Sequence, residues 1–142
     1  YKLDWLHSLY NYSSKILSKT DKFVILGDFN IAPSDNDVPD HQSSEDQILC
    51  SDLERASLKK ITGLGLVDLF NNFDFPKNTY TWWDYRAGCF HRDIGYRIDL
   101  ILGTKVIADK CSDYFIDKDT RHKSWCPEEP RTSDHAPVRI II

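Results

Sequence analysis

The sequence predicts an α/β fold, and three patterns carry that prediction. Residues 1–20 repeat apolar side chains at near-helical spacing with polar residues between them, which is typical of an amphipathic helix. Residues 23–26 are an uninterrupted apolar run, as in a strand buried on both faces. The chain ends in a β-branched strand at 138–142. Together these patterns predict a chain in which helices pack against strands.

The first half of the chain is predicted to form a helix, a strand, a loop and a second helix. The apolar face of the first helix would consist of Leu3, Leu6, Tyr10 and Leu17. The strand at 22–30 ends in Asp28 and Asn30, at the rim of the predicted sheet. A polar loop at 31–47 follows. Ser51 and Glu54 then have the spacing of a capping box, so a helix is expected to start there and to stop at Gly63 and Gly65.

The second half is predicted to consist of short strands and loops. Alternating aromatic and polar residues predict a strand at 79–85, and an apolar run predicts another at 96–102, interrupted by Arg97 and Asp99. The remaining predictions are a buried segment at 66–70, a loop at 87–94, a short helix or turn and a strand at 106–116, and a charged loop at 117–132.

Composition limits the classes of function. The chain has 142 residues, a net charge of −4 and a pI near 5.7, so any nucleic-acid contact must rest on a local basic patch or a metal ion. No apolar run approaches the ~20 residues of a membrane span. The four cysteines form no Cys-x-x-Cys pair, so free thiols in a reducing cytoplasm are expected. Because the chain begins with Tyr1 and lacks Met, we expect it to be incomplete.

Several polar residues occupy positions where the apolar pattern calls for hydrophobic ones. Asp28 and Asn30 end one strand, Asp99 lies inside another, and Asp134 and His135 directly precede the last. An ionised carboxylate among buried residues costs several kcal/mol unless it is paired or metal-bound, so a shared cleft is expected. Such groups can orient water, compensate charge on phosphate oxygens and hold Mg²⁺, which suits phosphodiester hydrolysis.

Each of these residues also has a structural interpretation. Asp28 could enter a loop and Asn30 could form an Asx-turn. Asp99 could pair with Arg97 or Arg86, and residues 133–135 could be a simple turn before a strand. The tryptophans and Tyr96 could belong to the core. The functional interpretation therefore depends on the combination of residues and on their order.

Four blocks of sequence resemble one known family. They are VILGDFNIAP at 24–33, TWWDYR at 81–86, GYRIDL at 95–100 and SDHAPV at 133–138. In this order they resemble the exonuclease III family of abasic-site endonucleases, within the endonuclease/exonuclease/phosphatase superfamily, over essentially the whole chain. The second and third blocks resemble the bacterial exonuclease III branch more narrowly.

The resemblance implies a role for each site residue. The catalytic set would be Asp28, Asn30, Asp99 and His135, with Asp28 activating water, Asn30 holding phosphate, and Asp99 orienting His135 toward the phosphoryl oxygens. The metal set for Mg²⁺ or Mn²⁺ would be Asp28, Asn30, Asp134 and His135. The substrate set would be Trp82, Tyr96 and Ile98, as an apolar wall for a base-less sugar, with Arg86 and Arg97 contacting the DNA backbone.

The resemblance also implies the fold and the partner. Residues 1–142 would be the C-terminal portion of a single domain, half of a four-layer, DNase I-like α/β sandwich with mixed, mainly antiparallel sheet and flanking helices. The absent first half would supply the main metal-binding Glu. The partner would be double-stranded DNA with an abasic site or a recessed 3′ end, and the complete protein would be a cytoplasmic monomer that does not bind membranes.

Two other hypotheses remain open at this stage. The chain could belong to a relative with a different substrate, such as an inositol-phosphate phosphatase, a sphingomyelinase or a retroelement endonuclease. Alternatively, it could be an inactive fragment or a binding module.

Overall fold

The computed structural model of the chain describes residues 1–39 and 49–142, and its strands form two small antiparallel sheets. The helices are α1 (Lys2–Leu17), α2 (Asp52–Thr62) and α3 (Lys105–Ala108). The strands are β1 (Val24–Asp28), β2 (Leu66–Asp68), β3 (Asp99–Thr104), β4 (Asp113–Ile116) and β5 (Val138–Ile141). The predicted α/β class is therefore confirmed. The second part of the predicted loop at 31–47 lies outside the described residues.

Helix α2 starts where the capping box predicts. The Ser51 hydroxyl accepts a hydrogen bond from the Glu54 amide at 3.4 Å, and the Glu54 carboxylate accepts one from the Ser51 amide at 3.1 Å. Glu54 also pairs with Lys2 of α1 at 2.5 Å. The reciprocal cap satisfies amides that have no partner within the helix, and the ion pair joins the two helices on one side of the sheet.

The larger sheet has the order β1–β3–β2, with β3 in the centre. Both of its pairings are antiparallel, and β1 pairs with β3 in a register that places Asp28 directly opposite Asp99. One face of this sheet packs against α1 and α2 through a buried cluster that includes Leu6, Leu58 and Leu102. The buried core thus fixes the C-terminal end of β1 and the first residues of β3 at the same end of the sheet.

The smaller sheet pairs β4 with β5, also antiparallel. It joins the opposite face of the larger sheet through a cluster containing Leu69, Ile101 and Tyr114. Its last strand begins three residues after His135, so the smaller sheet fixes the segment that carries this side chain.

Three expectations about the strands were wrong. The strand β1 is not buried on both faces, because it lies at the sheet edge and Leu26 is 65% exposed. Residues 79–85 form no regular strand, since Trp82 makes isolated bridges and Tyr85 has helical dihedral angles. The strand expected at 96–102 begins at Asp99 instead. The backbone amides of Ile98 and Asp99 donate to the Thr81 hydroxyl, whereas in a regular β-ladder they would donate to carbonyl groups of a neighbouring strand.

Two further predictions can be compared with the structure. All four cysteines are free thiols, as expected. No helix among residues 1–39 and 49–142 is long and apolar enough to cross a membrane.

Candidate active site

The antiparallel register of β1 and β3 brings two carboxylates to one point. Asp28 is the last residue of β1 and Asp99 is the first of β3, and they face each other across the pair. Residue 135 reaches the same point because its backbone bridges to Trp82, which bridges in turn to Tyr96. Residues more than a hundred positions apart along the chain therefore meet at one edge of the larger sheet.

His135 lies between the two carboxylates. Its Nδ1 is 2.9 Å and 3.1 Å from the two carboxylate oxygens of Asp99, and its Nε2 is 4.0 Å from Asp28 Oδ2. The hydrogen bond from His135 to Asp99 raises the pKa of His135 above its ordinary value, although partial burial acts in the opposite direction. An imidazolium held in this way donates through Nδ1 to Asp99 and presents Nε2 beside Asp28. It can therefore stabilise a developing oxyanion.

Asn30 and Asp28 form a compact polar turn. The backbone N–H and the side-chain Nδ2 of Asn30 each donate to Asp28 at 2.8 Å, one to each carboxylate oxygen. Asn30 has a φ of 52°, in the left-handed region that Asn tolerates better than most residues. The structure thus contains an Asx-turn, but its accepting side chain is Asp28 and not Asn30 as considered from sequence. It also orients the Asp28 carboxylate, which remains about one third exposed.

The segment at 82–83 ties Asp134 to the same cluster. Trp82 Nε1 donates to Asp134 Oδ2 at 3.0 Å, and the Trp83 amide donates to the Asp134 carbonyl at 3.1 Å. The rings of Trp82 and Tyr96 are tilted with their centroids 5.7 Å apart, and both are half-buried. These two rings form an aromatic surface next to His135, whose ring centroid is 6.4 Å from that of Trp82.

Ile98 occupies a different position from the one expected. Its side chain is 2% exposed and packs with Ala32 and Cys50, with the two aromatic rings against that cluster. Ile98 therefore packs against the two rings and has almost no exposed surface of its own.

Thr81 is a site residue that sequence reasoning missed. It is fully buried, and its hydroxyl accepts hydrogen bonds from the amides of Ile98 and Asp99 at 3.1 and 3.2 Å. Its hydroxyl lies 3.4 Å from the Tyr96 carbonyl, to which it donates. These bonds fix the backbone that presents Asp99. The only local signal was a small polar residue among aromatic ones.

The two arginines proposed as DNA contacts differ in their surroundings. Arg97 is 1% exposed, pairs with Asp37 at 2.5 Å and Asp68 at 2.9 Å, and lies over the Phe70 ring. The expectation that it contacts the DNA backbone, or pairs with Asp99, is corrected, because a phosphate cannot reach a buried guanidinium that two carboxylates already neutralise. Its fixed position instead joins the loop before residue 40 to the larger sheet.

Arg86 is exposed and bonded to Asp84 through several contacts, including one of 2.5 Å between Nη2 and Oδ2. These hydrogen bonds lower the pKa of Asp84 to about 2. Arg86 remains accessible at the surface, although part of its charge is compensated locally.

The metal donors expected from sequence form an incomplete set. Residues 1–39 and 49–142 contain no group of three or more His, Cys, Asp or Glu side chains placed to hold a metal. The oxygens of Asp28, Asn30 and Asp134 are of the hard type that Mg²⁺ prefers, and Mg²⁺ commonly takes one or two carboxylates and completes its shell with water. His135 could bind a metal only through Nε2 and only in its neutral form, because its Nδ1 is bonded to Asp99.

Known proteins share this sequence and fold. The model of the endonuclease/exonuclease/phosphatase family matches residues 1–135. Exodeoxyribonuclease III of Haemophilus influenzae is 36% identical over 92% of the chain, which covers 49% of that protein. An exodeoxyribonuclease of Bacillus subtilis is 29% identical over the whole chain, which covers 52% of that protein.

Solved structures agree with these relatives. A 3′ phosphatase from Neisseria, solved with a product DNA hairpin, superposes with a TM-score of 0.84 at 35% identity over 97% of the chain and 51% of that protein. An AP endonuclease from Archaeoglobus fulgidus gives 0.79 at 32% identity over 98% of the chain and 52% of its own. The chain spans about half the length of each relative, and the expected half-sandwich fold is confirmed. The chain belongs to the endonuclease/exonuclease/phosphatase family, as its four sequence blocks predict.

Proposed function

We propose that this chain carries part of the active site of a DNA-repair phosphodiesterase of the exonuclease III type, which hydrolyses the P–O3′ bond at abasic sites and 3′ ends. The observation that carries the proposal is the position of His135, bonded to Asp99 at 2.9 Å through Nδ1 and facing Asp28 through Nε2. The similarity to exodeoxyribonucleases and AP endonucleases supports the same activity.

The chemistry follows from the roles of these groups. The Asp28 carboxylate, oriented by Asn30, accepts a proton from a water molecule while the water oxygen forms a bond to phosphorus. The P–O3′ bond breaks, and the departing O3′ takes a proton from solvent, leaving a 3′ hydroxyl and a 5′ phosphate. His135 donates to a non-bridging oxygen as negative charge grows there, and Asp99 keeps the imidazole protonated and oriented.

A hard divalent ion, Mg²⁺ or Mn²⁺, completes the proposal. Asp28, Asn30 and Asp134 are the residues of this chain that would hold it, with further ligands from water or from protein outside the described residues. When bound, the ion supplies charge compensation for the phosphate oxygens.

Substrate choice is assigned to the aromatic surface beside His135. Trp82 and Tyr96 offer a flat wall next to the reacting phosphate, and such a wall can accept a base-less sugar turned out of double-stranded DNA. The complete protein is proposed to work as a monomer in the cytoplasm, where the four free thiols match a reducing environment.

The test compares substrates in the natural polypeptide that contains this chain. With Mg²⁺ present, we expect incision of an abasic duplex and trimming of recessed 3′ ends, with no turnover of sphingomyelin or inositol phosphates. Turnover of lipid or inositol phosphates alone would remove the substrate proposal.

The 142-residue chain itself is expected to show negligible incision, because its metal donors are incomplete. Robust incision by the isolated chain would contradict the assignment of essential ligands outside it.

A further inference from the structure

A second concentration of polar groups lies beside the candidate active site. A cavity of about 270 Å³ is bounded by the segments at 84–91 and 121–132, and basic and aromatic side chains dominate its lining. The basic residues are Arg121, Lys123 and Arg131, and the aromatic ones include Tyr85 and Phe90. The roles assigned above to the site at Asp28 and Asp99 use none of these groups.

Among the described residues, no carboxylate neutralises the three cations of this cavity. Within the described parts of the chain, none of them lies within ion-pair distance of an Asp or Glu, whereas Arg55, Arg86, Arg97, Lys105, Lys118 and Arg139 all do. The one carboxylate in the lining, Asp84, is bonded to Arg86. In a protein with a net charge of −4, three uncompensated cations around one cavity favour an anionic ligand.

Aromatic rings lie against two of these cations, and backbone carbonyls accept hydrogen bonds from the third, Lys123. The Arg121 guanidinium lies 4.8 Å from the Phe90 ring centroid, and that of Arg131 lies 4.3 Å from the Tyr85 ring centroid. Arg121 is 6% exposed, and its Nε has no hydrogen-bond partner among the described residues. Cation–π contacts position a charge without cancelling it, so the cavity is pre-arranged for an anion.

The cavity is physically connected to the catalytic segment. Arg121 donates to the Ser133 carbonyl, and Tyr85 Oη donates to the Thr132 carbonyl at 2.6 Å. Thr132 lines the cavity and lies three residues before His135, a separation of at most ~11 Å along an extended chain. Phosphates of one strand advance ~3.4 Å per nucleotide along the helix axis, so by this measure the cavity lies at most about three nucleotides from the reacting phosphate.

We propose that this cavity is a second phosphate-binding subsite, which takes a phosphate group of a nucleotide. The phosphate belongs either to the DNA backbone a few nucleotides from the scissile bond or to a free 5′-mononucleotide product. The DNA source rests on the proposed function. Arg131 and Lys123 supply the accessible charge, and Arg121 supplies a buried positive field.

The experiment uses the natural protein with Arg131→Gln, and with Lys110→Gln as a control for an exposed cation outside the cavity. For an abasic duplex, we expect Arg131→Gln to raise KM roughly fivefold to tenfold with kcat unchanged, and to lower the slope of log affinity against log salt by about one. A methylphosphonate scan should show one position where a neutral linkage weakens wild-type binding but not the variant. Lys110→Gln should match wild type in every readout.

A second arm separates the two sources of phosphate. Titrations with dAMP and with inorganic phosphate are followed by the NMR signals of Tyr85 and Phe90. Saturable binding of dAMP that Arg131→Gln weakens, without any change in DNA affinity, assigns the cavity to the product nucleotide. If Arg131→Gln equals Lys110→Gln for DNA and dAMP alike, the subsite is refuted. If wild type cleaves no DNA while dAMP still binds in the cavity, the proposed function fails and the subsite stands.

Discussion

Replacing Asp99 by Asn removes the negative charge that holds His135 while keeping the size of the side chain. Asp99 accepts from His135 Nδ1 at 2.9 and 3.1 Å, and its side chain is 13% exposed. A hydrogen bond between a charged pair contributes ~1.5–3 kcal/mol, and each ~1.4 kcal/mol changes a rate tenfold, so kcat should fall roughly 10- to 150-fold. The pKa of His135 should also fall, because the hydrogen bond that raises it is weakened.

The assay is single-turnover incision of an abasic duplex by the natural protein at saturating enzyme. The pKa of His135 is followed by NMR in metal-free buffer. Asp113→Asn, at the exposed start of β4, is the matched control and should leave both quantities unchanged. Thermal unfolding establishes that the variant is folded. A folded Asp99→Asn variant whose incision rate stays within twofold of wild type would refute the role assigned to this contact.

Three further predictions concern residues around the site. Thr81→Val removes the acceptor for the buried amide of Ile98 and the partly buried amide of Asp99, and should lower the free energy of unfolding by ~1–3 kcal/mol in urea titrations; an unchanged midpoint would contradict this. Arg97→Met leaves two buried carboxylates without a cation and should cost ~3–5 kcal/mol by the same measurement, and a loss below ~1 kcal/mol would be inconsistent with it. Because its pKa is lowered to about 2, Asp84 contributes stability that is complete above its ordinary pKa and is lost as the pH falls toward 2. Arg86→Gln should return that pKa toward 3.8 in a carboxyl NMR titration, and a pKa still near 2 would show that another group is responsible.

Local chemistry made several elements predictable from sequence. The pair Ser51 and Glu54 specifies a helix start through its own side chains, and the structure places α2 there. The apolar run before Asp28 similarly predicted β1. The strand expected at 79–85 failed because its backbone bonds to distant partners, including Tyr96 and His135 through isolated bridges. The alternation of aromatic and polar residues at 79–85 contains no information about contacts with residues so far along the chain.

The candidate site was predictable in its residues and less so in its geometry. The sequence order of Asp28, Asp99 and His135 anticipated a cluster that the structure contains. The environment of Arg97 was not predictable, because its partner Asp37 lies 60 residues away and occupies a loop whose path the sequence does not specify. Thr81 was missed for the same reason, since its role depends on amides 17 and 18 residues further on.

Asp28 and Asp99 lie opposite each other in the β1–β3 pair, so the register of these two strands determines whether the two carboxylates lie side by side. Side chains alternate between the faces of a sheet, so a slip of one residue between β1 and β3 would turn one carboxylate away from the other. A single insertion or deletion within either strand should therefore abolish function at once. The segment at 117–132 lies outside both strands, so a change in its length would leave this register intact but would move the contacts that Arg121 and Tyr85 make with residues 132 and 133.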